Sequence, residues 1–237
     1  MTTFEELINQ SLPQNYSNSH RLKIKNNIEQ LANELGIKPG RAMTIKEADQ
    51  QSCNPLFGEE DGYGINCQTC APTYLMRLRG LNVTAGELKE NNLSDLLARF
   101  EHKKGGKIIY HCWDCYSNVD ETEVIPTLFH DEKIKMGINS LSSDIYKEIL
   151  ENNTQDQGAY QIAFKYKSKL GGGHHVLIVQ RCLNEKLYYL DPQEYDGKNV
   201  LMPIDDLVTQ MDTKGFGGIL RIDDKIIKKE YAGIFRK

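Results

Sequence analysis

The chain has 237 residues, a formal net charge of −4 and a sequence pI of about 5.9. Its basic residues form no long run, which is atypical of proteins that bind nucleic acid or anionic membranes. No apolar stretch approaches the roughly 18 residues of a membrane-spanning helix, and the first residues lack the pattern of a signal peptide. We therefore expect a soluble, cytoplasmic protein without nucleic-acid or membrane partners, although export by a route that needs no N-terminal signal stays open.

The six cysteines are too sparse for a secreted disulfide scaffold, and we expect reduced thiols. Four of them form two C-x-x-C pairs, Cys67/Cys70 and Cys112/Cys115. This spacing is typical of tetrahedral zinc sites, with His111 as a spare ligand, so a zinc-stabilised binding module is one alternative for the function. A zinc site with four thiolate ligands would occupy both Cys67 and Cys70, so neither sulfur would be free to act as a nucleophile. We therefore expect no metal and no cofactor.

The N-terminal segments predict helices without catalytic side chains. Residues 17–35 begin with serine cap candidates, place apolar side chains on one helical face and stop at Gly36. The apolar positions are Ile24, Ile28, Leu31 and Leu35. Thr44 and Glu47 form a capping-box pattern, which predicts a short helix that ends at about Gln51.

The stretch from Gly64 to Gly80 contains a cysteine pair at the start of a short amphipathic helix. Pro72 fits only near the beginning of a helix, so Cys67 and Cys70 lie at its N-terminal end. Unpaired N–H groups at that end favour a thiolate, which makes a cysteine nucleophilic. The choice between the two stays open at this point, although a helix that starts just before Pro72 favours Cys70.

The second half of the chain changes from a helical period to a strand period. We predict helices over residues 87–100, 141–151 and 203–211, and strands over residues 107–110, 160–167, 175–179, 187–190 and 219–222. Ser142 or Ser143 caps the second helix. The strand over 160–167 alternates apolar and polar residues, which predicts burial on one side, and 219–222 is the last strand. The sheet is expected to be antiparallel, with about four strands.

The predicted hairpin of strands 175–179 and 187–190 brings two ionisable residues together. If its turn is centred near Leu183, His175 lies directly opposite Asp191 on the same face. A carboxylate in that position orients the imidazole, and the other ring nitrogen is left for a thiol. Packed against the cysteine helix, the hairpin gives a Cys–His–Asp arrangement suited to acyl transfer, with helix N–H groups available for an oxyanion.

Several motifs in this order resemble the papain-fold toxin family, Tox-PL. They are Ile65-Asn66-Cys67-Gln68-Thr69-Cys70, Arg77-Leu78-Arg79-Gly80, Val83-Thr84-Ala85, Gly173-His174-His175 and Leu190-Asp191-Pro192-Gln193. The family occurs at the ends of bacterial polymorphic toxins and in some phage minor head proteins, and Glu47-Ala48-Asp49 with Asn54-Pro55 resembles the phage-associated branch. The resemblance covers roughly residues 43 to 223, and the segment 100–157 has no counterpart in it.

The resemblance implies catalytic residues as well as a fold. The Asn-Cys pair of its motif falls on Cys67, which is therefore the expected nucleophile, with Cys70 as the alternative. Its Gly-His pair falls on His174, which is therefore an alternative base to His175. Asn66 either lends its amide to the oxyanion hole or caps the helix. Gln193 either contacts the site or merely follows a turn.

We therefore expect an α+β protein with a papain-like fold, in which N-terminal helices and the catalytic cysteine helix pack on the antiparallel sheet. Residues 1–42 form a helical extension, and residues 43–237 form the catalytic domain. The resemblance implies a cysteine-dependent hydrolase acting on protein amides, as a glutamine deamidase or a peptidase, in a toxin or effector delivered by a secretion system or phage particle. Its partners are a protein substrate and an immunity protein. A catalytically idle phage structural component is the remaining alternative.

Overall fold

An antiparallel five-stranded sheet is the framework of the α+β fold. The computed structural model describes residues 16–102, 108–118, 128–194 and 201–237, together with Glu6 and Asn9. The helices are α1 (Asn18–Leu35), α2 (Gln50–Cys53), α3 (Cys67–Leu78), α4 (Leu93–Ala98), α5 (Leu128–Lys135), α6 (Ser143–Asn153) and α7 (Ile204–Val208). In the described ranges no helix is long and apolar enough to cross a bilayer.

The strands form one large and three small antiparallel sheets within the described residues. They are β1 (Thr84–Ala85), β2 (Phe100–His102), β3 (Ile108–Tyr110), β4 (Tyr116–Asn118), β5 (Gly158–Lys165), β6 (His174–Arg181), β7 (Leu187–Leu190), β8 (Met202–Pro203), β9 (Gly217–Arg221), β10 (Lys225–Ile227) and β11 (Phe235–Arg236). The large sheet has the order β8-β7-β6-β5-β9, and the small sheets pair β1 with β11, β4 with β10, and β2 with β3. The sheet therefore has five strands rather than about four, and β10 and β11 follow the strand predicted to be the last.

Both faces of the large sheet are covered, so β5 is buried on two sides and the prediction of one-sided burial was wrong. Ile162 and Phe164 pack with side chains of α5, α6 and α7. Ala159 and Ala163 belong to the other core cluster, which contains the apolar face of α3. Gln161 is also fully buried on this strand. Because it is one of the polar residues that suggested an exposed face, local alternation misled the prediction.

Helix α1 confirms the predicted start and stop signals. The side chain of Ser17 accepts a hydrogen bond from the backbone N–H of His20 at 3.2 Å. Gly36 ends the helix with φ 63°, which suits glycine because it has no Cβ. Asn27 exchanges two hydrogen bonds with the backbone of Ile227, at 2.6 and 3.0 Å. The helix packs on the rest of the chain, and the division after residue 42 stays a prediction.

Two predicted helices have different starting points in the structure. Thr44 and Glu47 form both reciprocal bonds of the capping box, at 2.9 and 3.2 Å, but the next residues form a turn and α2 begins only at Gln50. Helix α4 is much shorter than the predicted 87–100. The backbone N–H of Leu88 bonds to the carbonyl of Gly62 at 3.0 Å, which ties this segment to another loop before α4 begins.

The β6–β7 hairpin forms as predicted, but each residue of β6 pairs with the residue of β7 two positions beyond the predicted partner. Ile178 pairs with Leu190, and Val179 pairs with Tyr189. The turn is therefore centred at Asn184 rather than Leu183. Because side chains alternate with a period of two, this shift keeps every residue on its predicted face.

The helix predicted over 203–211 is shorter in the structure. It is α7, Ile204–Val208, with Pro203 as its N-cap.

Candidate active site

Helix α3 places the Cys67 thiol at its first turn, beside the large sheet. The helix begins at Cys67 and packs on β6, and Cys67 is partly exposed. It ends before Gly80, whose φ of 96° lies in the left-handed region that favours glycine. The helix starts earlier than Pro72 alone suggested, so that proline lies inside it and its missing N–H leaves one intrahelical bond unmade.

His175 and Asp191 form a buried pair on the neighbouring strands. His175 lies near the start of β6 and Asp191 directly follows β7; their Nε2 and Oδ2 atoms are 2.5 Å apart. The relative exposures of the residues are 9% and 8%. Burial by itself lowers the pKa of His175, but the charge of Asp191, the hydrogen bond to it and the Cys67 thiol together outweigh burial and raise the pKa well above its ordinary value. The pair therefore favours an imidazolium.

The Cys67 thiol and the His175 ring line the same cleft, while the hydrogen-bond acceptor of the thiol in this structure is Gln68 Oε1, at 3.6 Å. Because Nε2 is taken by Asp191, Nδ1 is the ring nitrogen left for the thiol. The structure thus brings Cys67, His175 and Asp191 together, and the backbone N–H groups of the first turn of α3 lie at the same point. A nucleophile, an oriented acid–base group and hydrogen-bond donors for an oxyanion are the elements of acyl transfer through a thioester.

The alternative residues Cys70 and His174 occupy different surroundings. Cys70 is fully buried, its Sγ lies 3.4 Å from Asn66 Oδ1, and burial raises its pKa well above the ordinary value. His174 Nδ1 bonds to the Tyr110 hydroxyl at 2.8 Å, and its ring lies 4.4 Å from that of Phe100. Burial and the nearby Lys165 and His102 lower the pKa of His174. The hydrogen-bond partners of Cys70 and His174 are therefore Asn66 and Tyr110, and not members of the Cys67–His175–Asp191 group.

A buried amide network ties the cysteine helix to the loop after Asp191. Asn54 Nδ2 donates to Asn66 Oδ1 at 3.2 Å and to the Gln193 carbonyl at 3.0 Å. Gln193 Nε2 is 3.4 Å from Asn66 Oδ1, and the Gln193 N–H donates to Asp191 Oδ1 at 3.0 Å. The side chain of Asn66 makes no capping bond and bonds to the Gly86 carbonyl instead. Asn66 and Gln193 thus hold the site residues in place.

Asn54 is a site-supporting residue to which the sequence analysis gave no role. It is 2% exposed, and its Nδ2 also lies 2.8 Å from the Tyr63 carbonyl. The available signal was an asparagine before Pro55 in an irregular, glycine-rich approach to the cysteine helix.

An apolar cleft of about 250 Å³ opens beside Cys67 and His175. Its other walls include Ile65, Leu97, Phe100, Tyr110 and Val176. Ile65 and Phe100 are 62% and 40% exposed, so apolar surface continues outside the cleft. The β2–β3 hairpin supplies one wall, and it belongs to the segment 100–157 that the family resemblance left without a counterpart.

The second C-x-x-C pair lies in a buried turn. Cys115 Sγ is 3.9 Å from the Cys112 carbonyl, and both residues are buried. His111 pairs with Asp114 at 2.7 Å and with Glu101 at 3.4 Å. Across the described residues, no three His, Cys, Asp or Glu side chains are grouped so that they could hold a metal ion.

Comparisons with known proteins return no match to a family model, a curated protein or a solved structure. The geometry around Cys67 and the motifs in the sequence are therefore the basis for a functional assignment.

Proposed function

We propose that the protein is a papain-like, cysteine-dependent hydrolase of protein amides. The observation that carries this proposal is the 2.5 Å contact between His175 and Asp191, beside a partly exposed Cys67 thiol that lines the same cleft as the imidazole. Cys67 is the nucleophile, His175 is the general acid and base, and Asp191 orients the ring and stabilises its charged form.

In the first half of the reaction, the Cys67 thiolate attacks the amide carbonyl carbon. The carbonyl oxygen becomes an oxyanion, which backbone N–H groups at the start of α3 stabilise. The His175 imidazolium gives its proton to the amide nitrogen, the C–N bond breaks, and ammonia or an amine leaves. The product is a thioester on Cys67.

In the second half, water replaces the amine. Neutral His175 takes a proton from the water as it attacks the thioester, and the C–S bond breaks to release a carboxylic acid and the Cys67 thiolate. With a glutamine side chain as substrate, the reaction is deamidation; with a backbone amide, it is peptide cleavage. Both reactions consume one water and need no cofactor.

A protein is the substrate class that the cleft supports. Apolar walls beside Cys67 and the exposed side chains of Ile65 and Phe100 suit an amide presented on a larger apolar surface. Together with the family resemblance, this favours a bacterial or phage-delivered toxin or effector, whose immunity partner would cover the same cleft.

The test of this proposal compares matched cysteine variants of the full chain. Cys67→Ala should abolish deamidation or cleavage in a treated lysate, read by mass spectrometry as glutamate in place of glutamine or as new chain ends, with an unchanged thermal midpoint. Cys182→Ala, a buried cysteine outside the site, is the control and should retain activity. In a substrate-independent measurement, iodoacetamide should alkylate Cys67 fastest of the six thiols.

Two outcomes would overturn the assignment. Full activity in Cys67→Ala would exclude this sulfur as the nucleophile. Loss of activity in a folded Cys70→Ala variant, with Cys67→Ala active, would move the nucleophile three residues along α3.

A further inference from the structure

A cavity lies at the far end of α3 from Cys67, between that helix and α1. It has a volume of about 380 Å³, within the size range of small-molecule sites. The helix has 12 residues, which at about 1.5 Å per residue places its two ends about 18 Å apart. This cavity is therefore separate from the cleft beside Cys67. Its apolar walls include Ile24, Ile28, Pro39 and Leu78.

Arg79 lines this cavity with an incompletely paired guanidinium. The residue is 8% exposed, and its Nη2 atom donates to the carbonyls of Asp223 and Lys225 at 2.9 and 2.5 Å. Its buried Nη1 atom has no hydrogen-bond partner in the part of the chain that the structure describes. Burial lowers the pKa of Arg79 to about 10, so the group is still a cation at neutral pH. A buried cationic donor of this kind is stabilised by an acceptor oxygen.

The acidic groups around the cavity already have partners. The Asp223 carboxylate accepts hydrogen bonds from Arg221 Nε, at 3.0 Å, and from the Tyr16 hydroxyl. Glu29 pairs with Lys25 across one turn of α1 at 3.8 Å. Neither carboxylate forms a hydrogen bond to Arg79 Nη1. Arg21, Lys25 and Arg79 line the cavity together with Glu29 and Asp223, so the lining carries more positive than negative charge.

We propose that this cavity binds a small organic acid, with its carboxylate at the Arg79 guanidinium and its apolar body between α1 and the end of α3. A carboxylate supplies the acceptor that the guanidinium lacks. A short hydrocarbon chain matches the walls formed by Ile24, Ile28 and Leu78. The site is independent of the proposed hydrolase activity, since it shares no residue with the cleft.

Binding can be tested with hexanoate and two matched probes on the full chain. Hexan-1-ol has the same chain without the charge, and inorganic phosphate has charge without the chain. Isothermal titration should give saturable one-to-one binding of hexanoate, at least tenfold tighter than either control, and the thermal midpoint should rise with the logarithm of the hexanoate concentration above Kd. Equal affinity for hexan-1-ol would mean an apolar void only, equal affinity for phosphate would mean general anion binding, and no binding of hexanoate would refute the proposal.

The location can be tested by filling the cavity. Ile28→Trp should weaken hexanoate binding at least tenfold, whereas Ile134→Trp, at a site 63% exposed on α5, should leave it unchanged. Should Ile28→Trp fail to fold, crystals of the unmodified protein with 6-bromohexanoate give the answer through the anomalous signal of bromine. Bromine outside the cavity, or a carboxylate away from Arg79, would overturn the assignment.

Discussion

Cys67 and Cys70 differ in exposure and in hydrogen bonding, although they share one helix. The Cys70 thiol is fully buried beside Asn66, where burial raises its pKa and keeps it protonated. Cys67 is partly exposed and lines the cleft together with His175. A substrate carbonyl can reach only a thiol at the surface, so accessibility distinguishes two cysteines that sequence spacing left nearly equivalent.

The charge of Asp191 should set the pH profile of the reaction. A thiolate–imidazolium pair gives a bell-shaped profile, whose acid limb reports thiol ionisation and whose basic limb reports loss of the imidazolium proton. Asp191→Asn removes the charge that raises the pKa of His175, so the basic limb should move to lower pH and kcat should fall by about 10³–10⁴-fold. The measurement is kcat against pH for both proteins.

Two further variants test whether His175 and Asp191 act together in the reaction. His175→Ala should be comparably damaging, and His175→Ala combined with Asp191→Asn should be scarcely worse than either alone, since the residues act as one unit. An unchanged rate and pH profile in Asp191→Asn would show that Asp191 has no part in the reaction.

Asn54 should matter for both stability and rate, although the hydrogen bonds that it donates go to Tyr63, Asn66 and Gln193 and not to Cys67 or His175. Asn54→Ala removes the side-chain donor to the carbonyls of Tyr63 and Gln193 and leaves Asn66 Oδ1 with only its longer contacts to Gln193 Nε2 and Cys70 Sγ. We expect the free energy of unfolding to fall by about 2–3 kcal/mol and kcat to fall because the loop after Asp191 is released. Urea unfolding and steady-state kinetics measure the two effects.

The matched control is Asn153→Ala, an exposed asparagine whose Nδ2 bonds only locally, to Ile149 O at 2.8 Å. Its effect on unfolding should stay within about 0.5 kcal/mol, as for most surface changes. Equal effects of the two substitutions would contradict a special role for the buried amide network.

At the scale of single elements, the sequence correctly predicted the segments whose structure depends mainly on residues close together in the chain. The Ser17 and Ser142 caps start α1 and α6 as expected, because a side-chain oxygen satisfies nearby N–H groups wherever the helix packs. The hairpin was found, and its faces were right despite the two-residue difference in register. The predicted helix over 87–100 failed because the bond between Leu88 and Gly62 joins distant segments.

Gly80 provides a test of how tightly the end of α3 is fixed. A Cβ at this position would lie 2.6 Å from the Gly40 carbonyl oxygen and 2.8 Å from that of Arg41. Gly80→Ala should therefore combine the left-handed strain of about 1–2 kcal/mol with about 1–3 kcal/mol of overpacking. Chemical denaturation measures the total.

Gly137 is the matched control for that substitution. Its φ is 69°, and a Cβ there would meet nothing within 4 Å, so Gly137→Ala should show the backbone strain alone. If both variants lose the same stability, the close approach of the Gly40 and Arg41 backbone does not constrain α3.

At the scale of the whole molecule, distant parts of the chain support the region around α3. Strand β1, which follows α3, pairs with β11 near the C-terminus, and Gly86 N–H donates to Ile234 O at 2.8 Å. Such pairings depend on contacts between residues far apart in sequence, which periodicity cannot report. The candidate triad was accessible from sequence because a hairpin and a helix start are local features; the cleft walls and the Asn54 network were not, because they form only on folding.

The His175–Asp191 pair should also make global stability depend on pH. The pKa of His175 is raised in the folded state above the value of about 6.5 expected for an unfolded chain. The folded state therefore holds this proton more tightly, and the resulting stability is complete below about pH 6.5 and is lost as the pH rises through the folded-state pKa. The thermal midpoint of the unmodified protein should exceed that of Asp191→Asn most at low pH, and the gap should narrow as the pH rises. Asp114→Asn, which removes one of the two acidic partners of the more exposed His111, is the control and should give a small, nearly constant difference because solvent screens that pair. A gap between the unmodified protein and Asp191→Asn that stays constant from acid to alkaline pH would show that the stability of the fold does not depend on the charge of this imidazole.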